Sequence, residues 1–343
     1  MAKKIAINGF GRIGRAVLKG SIDLNELEYV AINDLGDIDN LAYLLKYDSV
    51  YGRYDKDVSV EEKDGKKYLK VNGKEILFFQ EKDPSKLPWE DLEVDIVIEA
   101  TGVFDSYEKS QVHLDAGAKR VVLTAPSKDK DSDIGQTILL GVNEEKLSTC
   151  KISSNGSCTT NATSPIVQIM VETLGIKKAF LVSTHGYTAT QNLTDGPSRS
   201  KDFRRGRAAA WNIVPSSTGA ATAVTKGVQQ IKDKFDGIAT RVPVLDGSVA
   251  SIICITEKST TVEEVNEIFR KASQDERWNN ILSTTEDPLV SSDIIGQKYG
   301  AIVDLLMTRV VDGDMVHILS WYDNEEGYTQ TLIGHILKAA AIL

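Results

Sequence analysis

A glycine pattern set between a strand and a helix constrains this chain more than any other feature. Lys4 to Asn8 is a short β-rich run, and Gly9-Phe10-Gly11-Arg12-Ile13-Gly14 follows it at once. From Arg12 to Ser21 the apolar spacing is helical, with Ile13, Val17 and Leu18 on one face. A second strand, Tyr29 to Asn33, ends in Asp34, 20 residues after Gly14. A lone GxGxxG says little, but strand, glycines, helix, strand and acid in this order specify a dinucleotide-binding unit. Gly9 permits the tight turn, Gly11 lets the backbone approach a pyrophosphate, and Gly14 allows close helix–strand packing. Amides at the helix start then hold the phosphates. Asp34 can accept from a ribose diol and repels a 2′-phosphate, so the expected cofactor is NAD.

The pattern continues as a doubly wound α/β sheet. Val58 to Val60 and Lys67 to Phe79 read as antiparallel excursions, with turns at Asp64-Gly65 and Asn72-Gly73. Asp95 to Ala100 and Arg120 to Thr124 are apolar buried strands that break into Thr101-Gly102 and, after Thr124, Ala125-Pro126-Ser127. Ligands sit at such strand ends, which makes Thr101 and Thr124 candidates.

Beyond residue 150 the character changes. Cys158 lies in Ser154-Asn155-Gly156-Ser157-Cys158-Thr159-Thr160-Asn161, ahead of a helical run over Ala162 to Leu174. A cysteine at a helix start feels the positive end of the dipole, which is expected to lower its pKa. His185, delivered by the strand Lys178 to Thr184, could exchange a proton with it. The plainer alternative is a capped helix with a buried free thiol. A polar loop, Thr188 to Trp211, carries Arg199, Arg204, Arg205 and Arg207, and a loop of this length tends to be functional. Ser216 to Ala220 looks like a phosphate-friendly helix start. Arg241 stands in the apolar run Gly237 to Val244 and needs an anionic partner if buried. Strands Val249 to Glu257, Ala301 to Val311 and Met315 to Tyr322, with a capped helix from Thr261 to Ser273, read as an antiparallel or mixed sheet with helices on one face. The run Gly327 to Leu343 is apolar and helical and is expected to pack back onto the first domain.

Composition narrows the partners. The 343 residues carry 41% hydrophobic and 26% charged side chains and a net charge of -9, which argues against nucleic acid and anionic membranes. Any anion must be held by local arginines or amides. Three cysteines give no disulfide framework, and four scattered histidines give no metal-ligand spacing, so no metal is expected. The chain runs from Met1 directly into a strand with no signal-peptide pattern, so the cytoplasm is the expected compartment.

Taken together, the chain resembles the phosphorylating glyceraldehyde-3-phosphate dehydrogenases almost end to end. The resemblance is carried by INGFGRIGR at 7–15, IND at 32–34, EATGVF at 99–104, SNGSCTTN at 154–161, HGYT at 185–188, RRGRAAA at 204–210, STGAA at 217–221, TRVPV at 240–244 and WYDNE at 321–325. It implies a Rossmann NAD domain over 1–157 completed by a helix at 325–343, an α+β catalytic domain over 158–324, and a homotetramer. It also implies Cys158 as nucleophile and His185 as base. Thr188 and Arg241 would hold the triose phosphate; Ser157, Thr159, Thr218, Gly219 and Arg205 would hold attacking inorganic phosphate. Arg12 and Ile13 would supply amides to the pyrophosphate, Asn324 would orient the nicotinamide amide, and Tyr328 would flank its ring. The chain departs from the family pattern at Ala162, Thr190 and Glu326. Two other readings fit the same residues less fully: an erythrose-4-phosphate dehydrogenase that releases an acid, and a redox-sensing or binding protein that kept the fold without turnover.

Overall fold

A computed structural model describes residues 1–198 and 201–343. Arg199, one of the basic-loop residues, lies outside the described residues. The chain divides into two compact units. The first comprises Met1–Ile138, Glu144–Gly156 and Leu332–Leu343; the second comprises Leu139–Asn143 and Ser157–Thr331.

The first unit is built on a nine-stranded sheet of β1 (Lys3–Asn8), β2 (Leu27–Asn33), β5 (Val58–Lys63), β6 (Lys66–Val71), β7 (Lys74–Phe79), β8 (Ile96–Glu99), β9 (Arg120–Leu123), β10 (Gly135–Thr137) and β11 (Ile152–Ser154), with a separate short pair, β3 (Tyr47–Asp48) and β4 (Gly52–Arg53). Their order is β10-β11-β9-β8-β1-β2-β7-β6-β5. From β10 to β7 every pairing is parallel, as βαβ crossovers demand. The excursion is therefore shorter than expected. β5–β6 and β6–β7 pair antiparallel, while β7 also joins β2 in parallel, so Lys67 to Phe79 breaks at Asn72-Gly73 into two strands of different role. The turn needs positive φ at both residues, 49° and 81°, which Asn and Gly tolerate.

Sequence order reverses between β1 and β8, which is where such sheets bind ligands. Helix α1 (Arg12–Ser21) follows β1, with Val17 and Leu18 fully buried. Helices α2 (Ile38–Lys46) and α3 (Tyr107–Asp115) start at side-chain caps from Asp37 and Ser106.

In the second unit, α4 (Cys158–Thr173) begins at the cysteine itself rather than at Ala162, because the Ser157 hydroxyl caps it by accepting from the Thr160 amide at 3.1 Å. Strands β12 (Ile176–Gly186), β13 (Val214–Ser217), β14 (Phe235–Val242), β15 (Ser248–Thr256), β16 (Leu282–Thr285), β17 (Ala301–Asp304), β18 (Arg309–Val311) and β19 (Met315–Tyr322) form one mixed sheet. Pairings β12–β14 and β16–β17 are parallel and the rest antiparallel. The expected single strand over Ala301 to Val311 is broken, because the Asp304 carboxylate accepts from the Leu306 amide and turns the chain. Helices α5 (Ala220–Gly227) and α6 (Val262–Ala272) complete the layer; α7 (Glu326–Ala341) begins in this unit and ends in the first. Ala162, Ile166, Val167 and Met170 of α4 are buried against Leu181, Ala250, Ile252 and Ile318 of the sheet. Each large apolar side chain buried this way contributes about 1.5–3 kcal/mol, which fixes the helix start that carries Cys158.

Two glycines of the first loop can be told apart by experiment. A Cβ on Gly14 would lie 2.2 Å from the Gly9 carbonyl oxygen, whereas a Cβ on Gly11 would meet nothing within 4 Å. Gly14→Ala is expected to lose about 1–3 kcal/mol by overpacking, read from the urea midpoint. Gly11→Ala should unfold at the wild-type midpoint.

Candidate active site

In the first unit, a cavity of about 410 Å³ opens at the C-terminal ends of β1, β2 and β8. Gly9, Gly11, Asp34 and Thr101 line it, together with Asn8 and Asn33, which the sequence reading did not single out. Gly9 sits at φ 97°, a conformation natural only to glycine, with Ala100 and Thr101 backbone pressed against its missing side chain. Gly11 is the N-cap of α1 and, without a side chain, makes no cap bond to the first-turn amides. Arg15 braces the turn by donating to the Phe10 carbonyl at 2.9 Å. Asp34 accepts from the Phe10 amide at 2.6 Å and the Gly36 amide at 2.8 Å, so its carboxylate is held at the cavity edge with lone pairs to spare. An open glycine face, a helix start with a glycine N-cap and a fixed carboxylate fit a dinucleotide. Arg12, Ile13 and Gly14 form the helix start itself, and Arg12 directs its guanidinium to Asp48 at 3.3 Å. Thr124 lies at the end of β9 and does not line the cavity.

In the second unit, the thiol and the imidazole meet. Cys158 Sγ lies 3.3 Å from His185 Nε2. Parallel pairing of β12 with β14 sets His185 directly beside Arg241. Nδ1 lies 2.7 Å from the Gly186 carbonyl, which can only accept, and 2.7 Å from Arg241 Nη1, which can only donate; the tautomer with its proton on Nδ1 serves the carbonyl and leaves the Nε2 lone pair facing the thiol. Arg241 Nη1 donates to the same carbonyl at 3.1 Å and crowds Nδ1 at 2.7 Å. Burial lowers the His185 pKa to about 3, and the Arg241 charge adds to the effect. Burial also pushes the Cys158 thiol up to about 11; Arg241 and the amide and hydroxyl of Thr159 pull the other way without prevailing. The helix-start position was expected to lower this pKa. Desolvation opposes that expectation, since burial disfavours the charged form of both partners.

The cations around this pair are uncompensated. Among the described residues no carboxylate pairs with Arg241, and its buried Nε has no hydrogen-bond partner. Its pKa is lowered by desolvation and by its neighbour Arg205. Arg205 donates to the Thr190 hydroxyl at 3.2 Å, and Thr190 bonds Thr188 at 3.0 Å. Thr188, Arg205 and Arg241 thus surround the reactive pair with donors. Thr218 and Gly219 lie just before α5, where the Thr218 hydroxyl accepts from the Ala220 amide. Asn324 accepts from Ser248 at 2.5 Å, and Ser248 in turn accepts from the Gly186 amide, which ties Asn324 to the strand end that bears His185. Tyr328 is buried in α7. Sequence reasoning missed Tyr322, whose hydroxyl bonds Thr159 and Ser183 at 2.9 Å while its ring meets His185 edge-on. All three cysteines are free.

Comparison with known proteins agrees with this geometry. Residues 3–107 match the glyceraldehyde 3-phosphate dehydrogenase NAD binding domain, and residues 157–324 match the C-terminal domain of the same enzyme. The chain belongs to the glyceraldehyde-3-phosphate dehydrogenase family. It is 46% identical to the glyceraldehyde-3-phosphate dehydrogenase of Clostridium pasteurianum over 334 residues, covering 96% of each chain. It is 44% identical to that of Clostridium acetobutylicum over 343 residues, covering 99% of each. The enzyme of Geobacillus stearothermophilus is 45% identical over 335 residues, covering 97% of each. The family's N-terminal domain makes NAD the cofactor of this chain.

Because Arg241 is a charge that lowers the Cys158 pKa, Arg241→Leu should move the pH profile of Cys158 alkylation by iodoacetamide to higher pH and slow it at pH 8. An unmoved profile would show that Arg241 does not act on the thiol.

Proposed function

We propose that the chain oxidises D-glyceraldehyde 3-phosphate with NAD and inorganic phosphate to 1,3-bisphosphoglycerate, through a thioester on Cys158. The carrying observation is the thiol–imidazole pair at 3.3 Å beside an arginine that no carboxylate among the described residues neutralises. Arg241 and Thr188 bind the substrate phosphate, which holds the aldehyde carbon over Sγ. As Sγ attacks, its proton passes to the Nε2 lone pair and on to the carbonyl oxygen, giving a hemithioacetal. Bound NAD supplies the hydride acceptor for the next stage. His185 takes the hydroxyl proton as the C–H bond breaks and the C=O re-forms, leaving the thioester. Arg205, Thr218 and Gly219, with Ser157 and Thr159, hold a phosphate whose oxygen attacks the thioester carbon. The C–S bond then breaks, the acyl phosphate leaves, and Sγ recovers its proton from Nε2. Asn324 and Tyr328 orient the nicotinamide, and Arg12 and Ile13 contribute amides to the pyrophosphate.

The same reading places the protein in the cytoplasm as a homotetramer. No helix of the described residues is long and apolar enough to cross a membrane. Leu193, Phe203 and Trp211 on the arginine-rich loop, and Ile213 just after it, are 70–86% exposed, an apolar surface suited to a second copy of this chain.

A coupled assay tests the chemistry. NADH formation from glyceraldehyde 3-phosphate should depend strongly on phosphate or arsenate; phosphate-independent turnover would favour hydrolytic release of an acid, as in erythrose-4-phosphate dehydrogenase. His185→Asn should lower kcat by about 10²–10⁴-fold, the usual worth of a positioned base, with the circular dichroism of the fold retained. Native mass spectrometry should show four chains of 37.6 kDa, and Trp211→Asp should reduce that assembly.

A further inference from the structure

Beneath the cavity of the first unit lies a buried polar network whose centre, Glu99, is 3% exposed. Its carboxylate has about four lone-pair sites, and four donors fill them. Oε1 accepts from the Thr101 amide at 2.8 Å and from the Thr101 hydroxyl. Oε2 accepts from Asn8 Nδ2 at 2.6 Å and from His113 Nε2 at 3.0 Å. Trp89 Nε1–H, a donor only, points at His113 Nδ1 from 3.1 Å. Nδ1 must therefore accept, which places the ring proton on Nε2, facing the carboxylate. His113 is fully buried. The network continues outward: Asn33 donates to Asn8 Oδ1 at 2.7 Å and pairs with the backbone N–H and C=O of Glu81. Asn8, Asn33, Glu81 and Thr101 all line the cavity.

With every acceptor used, Glu99 has nothing left to offer a ligand. We propose that Glu99 and His113 are positioning residues for cofactor binding: Glu99, oriented by the fixed His113 tautomer, fixes the Thr101 amide and hydroxyl and the Asn8 carboxamide before NAD arrives. Glu99→Gln is nearly isosteric, yet an amide cannot accept four bonds. Either its NH₂ faces the Thr101 donors or it faces Asn8 and His113, and one wall of the cavity loses its register. The inference goes beyond the assignment of NAD as cofactor and rests on it.

Three measurements test it. The wild-type Kd for NADH, from fluorescence titration, serves as reference; absence of binding by the wild type would overturn the cofactor site itself. Glu99→Gln should raise this Kd about ten- to a hundredfold, the loss expected for charged hydrogen bonds. Thr101→Val should weaken binding, and the double variant should bind no worse than Glu99→Gln alone, because both changes act through one contact. Cys158 alkylation without cofactor should proceed at the wild-type rate in Glu99→Gln, reporting an intact second unit. In ¹⁵N spectra of the wild type, the His113 proton should reside on Nε2. Wild-type NADH affinity in a folded Glu99→Gln, additive effects in the double variant, or a proton on Nδ1 would each overturn the proposal.

Discussion

The register of β12 against β14 is the constraint on which the reactive site depends. It sets His185 beside Arg241 at the strand ends, with the Gly186 carbonyl as a shared acceptor. A slip of one residue would send Arg241 to the opposite face of the sheet and leave the imidazole without its neighbour. The register is secured by the pairing of β12 with β15 on its other edge and by the apolar face packed under α4. That same packing fixes where α4 begins. The Ser157 cap then decides that the first helical residue is Cys158, within 3.3 Å of the ring. Chemistry at the sulfur is thus a consequence of sheet register and helix capping, two properties set far from any reacting atom.

The electrostatics of the pair follow from burial. Desolvation penalises both the thiolate and the imidazolium, so it raises one pKa and lowers the other. Burial thus works against charging either partner, and Arg241 works against charging the imidazole as well. Arg241 is the exception, a cation kept in a desolvated setting without a carboxylate among the described residues. Such a group costs several kcal/mol unless an anion joins it. The unpaired Nε is the structural mark of a site built for a ligand rather than for stability.

Legibility in the sequence divides along the range of the interactions. The turn around Gly9 and Gly11, the α1 start and the carboxylate of Asp34 obey local rules, and each stands where the spacing placed it. Asn72-Gly73 was readable as a turn, but not that β7 beyond it would run parallel to β2, because strand direction is settled by a partner some 45 residues away in the chain. The network through Asn8 and Glu99 joins residues 91 apart and left no sequence signal. Tyr322 stood in a recognisable segment, yet its contact with Thr159 spans 163 residues. The thiol shows the limit of local reasoning. The helix dipole is visible in sequence, whereas the desolvation that opposes it appears only when the core is assembled.

Anion binding in an acidic protein raises a last question of scale. A net charge of -9 repels phosphates at long range, but salt screens exposed charges beyond about 8 Å at physiological ionic strength. At contact the balance reverses: two unit charges 4 Å apart attract by about 4 kcal/mol at an effective dielectric of 20. The two units meet this condition differently. In the first, a helix start with a glycine N-cap and glycine backbone present neutral dipoles, so a carboxylate such as Asp34 can sit close by without cancelling the site. In the second, Arg205 and Arg241 provide full charges, which an acid on either would cancel. Net charge can therefore be set by the rest of the surface, because each anion site is decided within its first few ångströms.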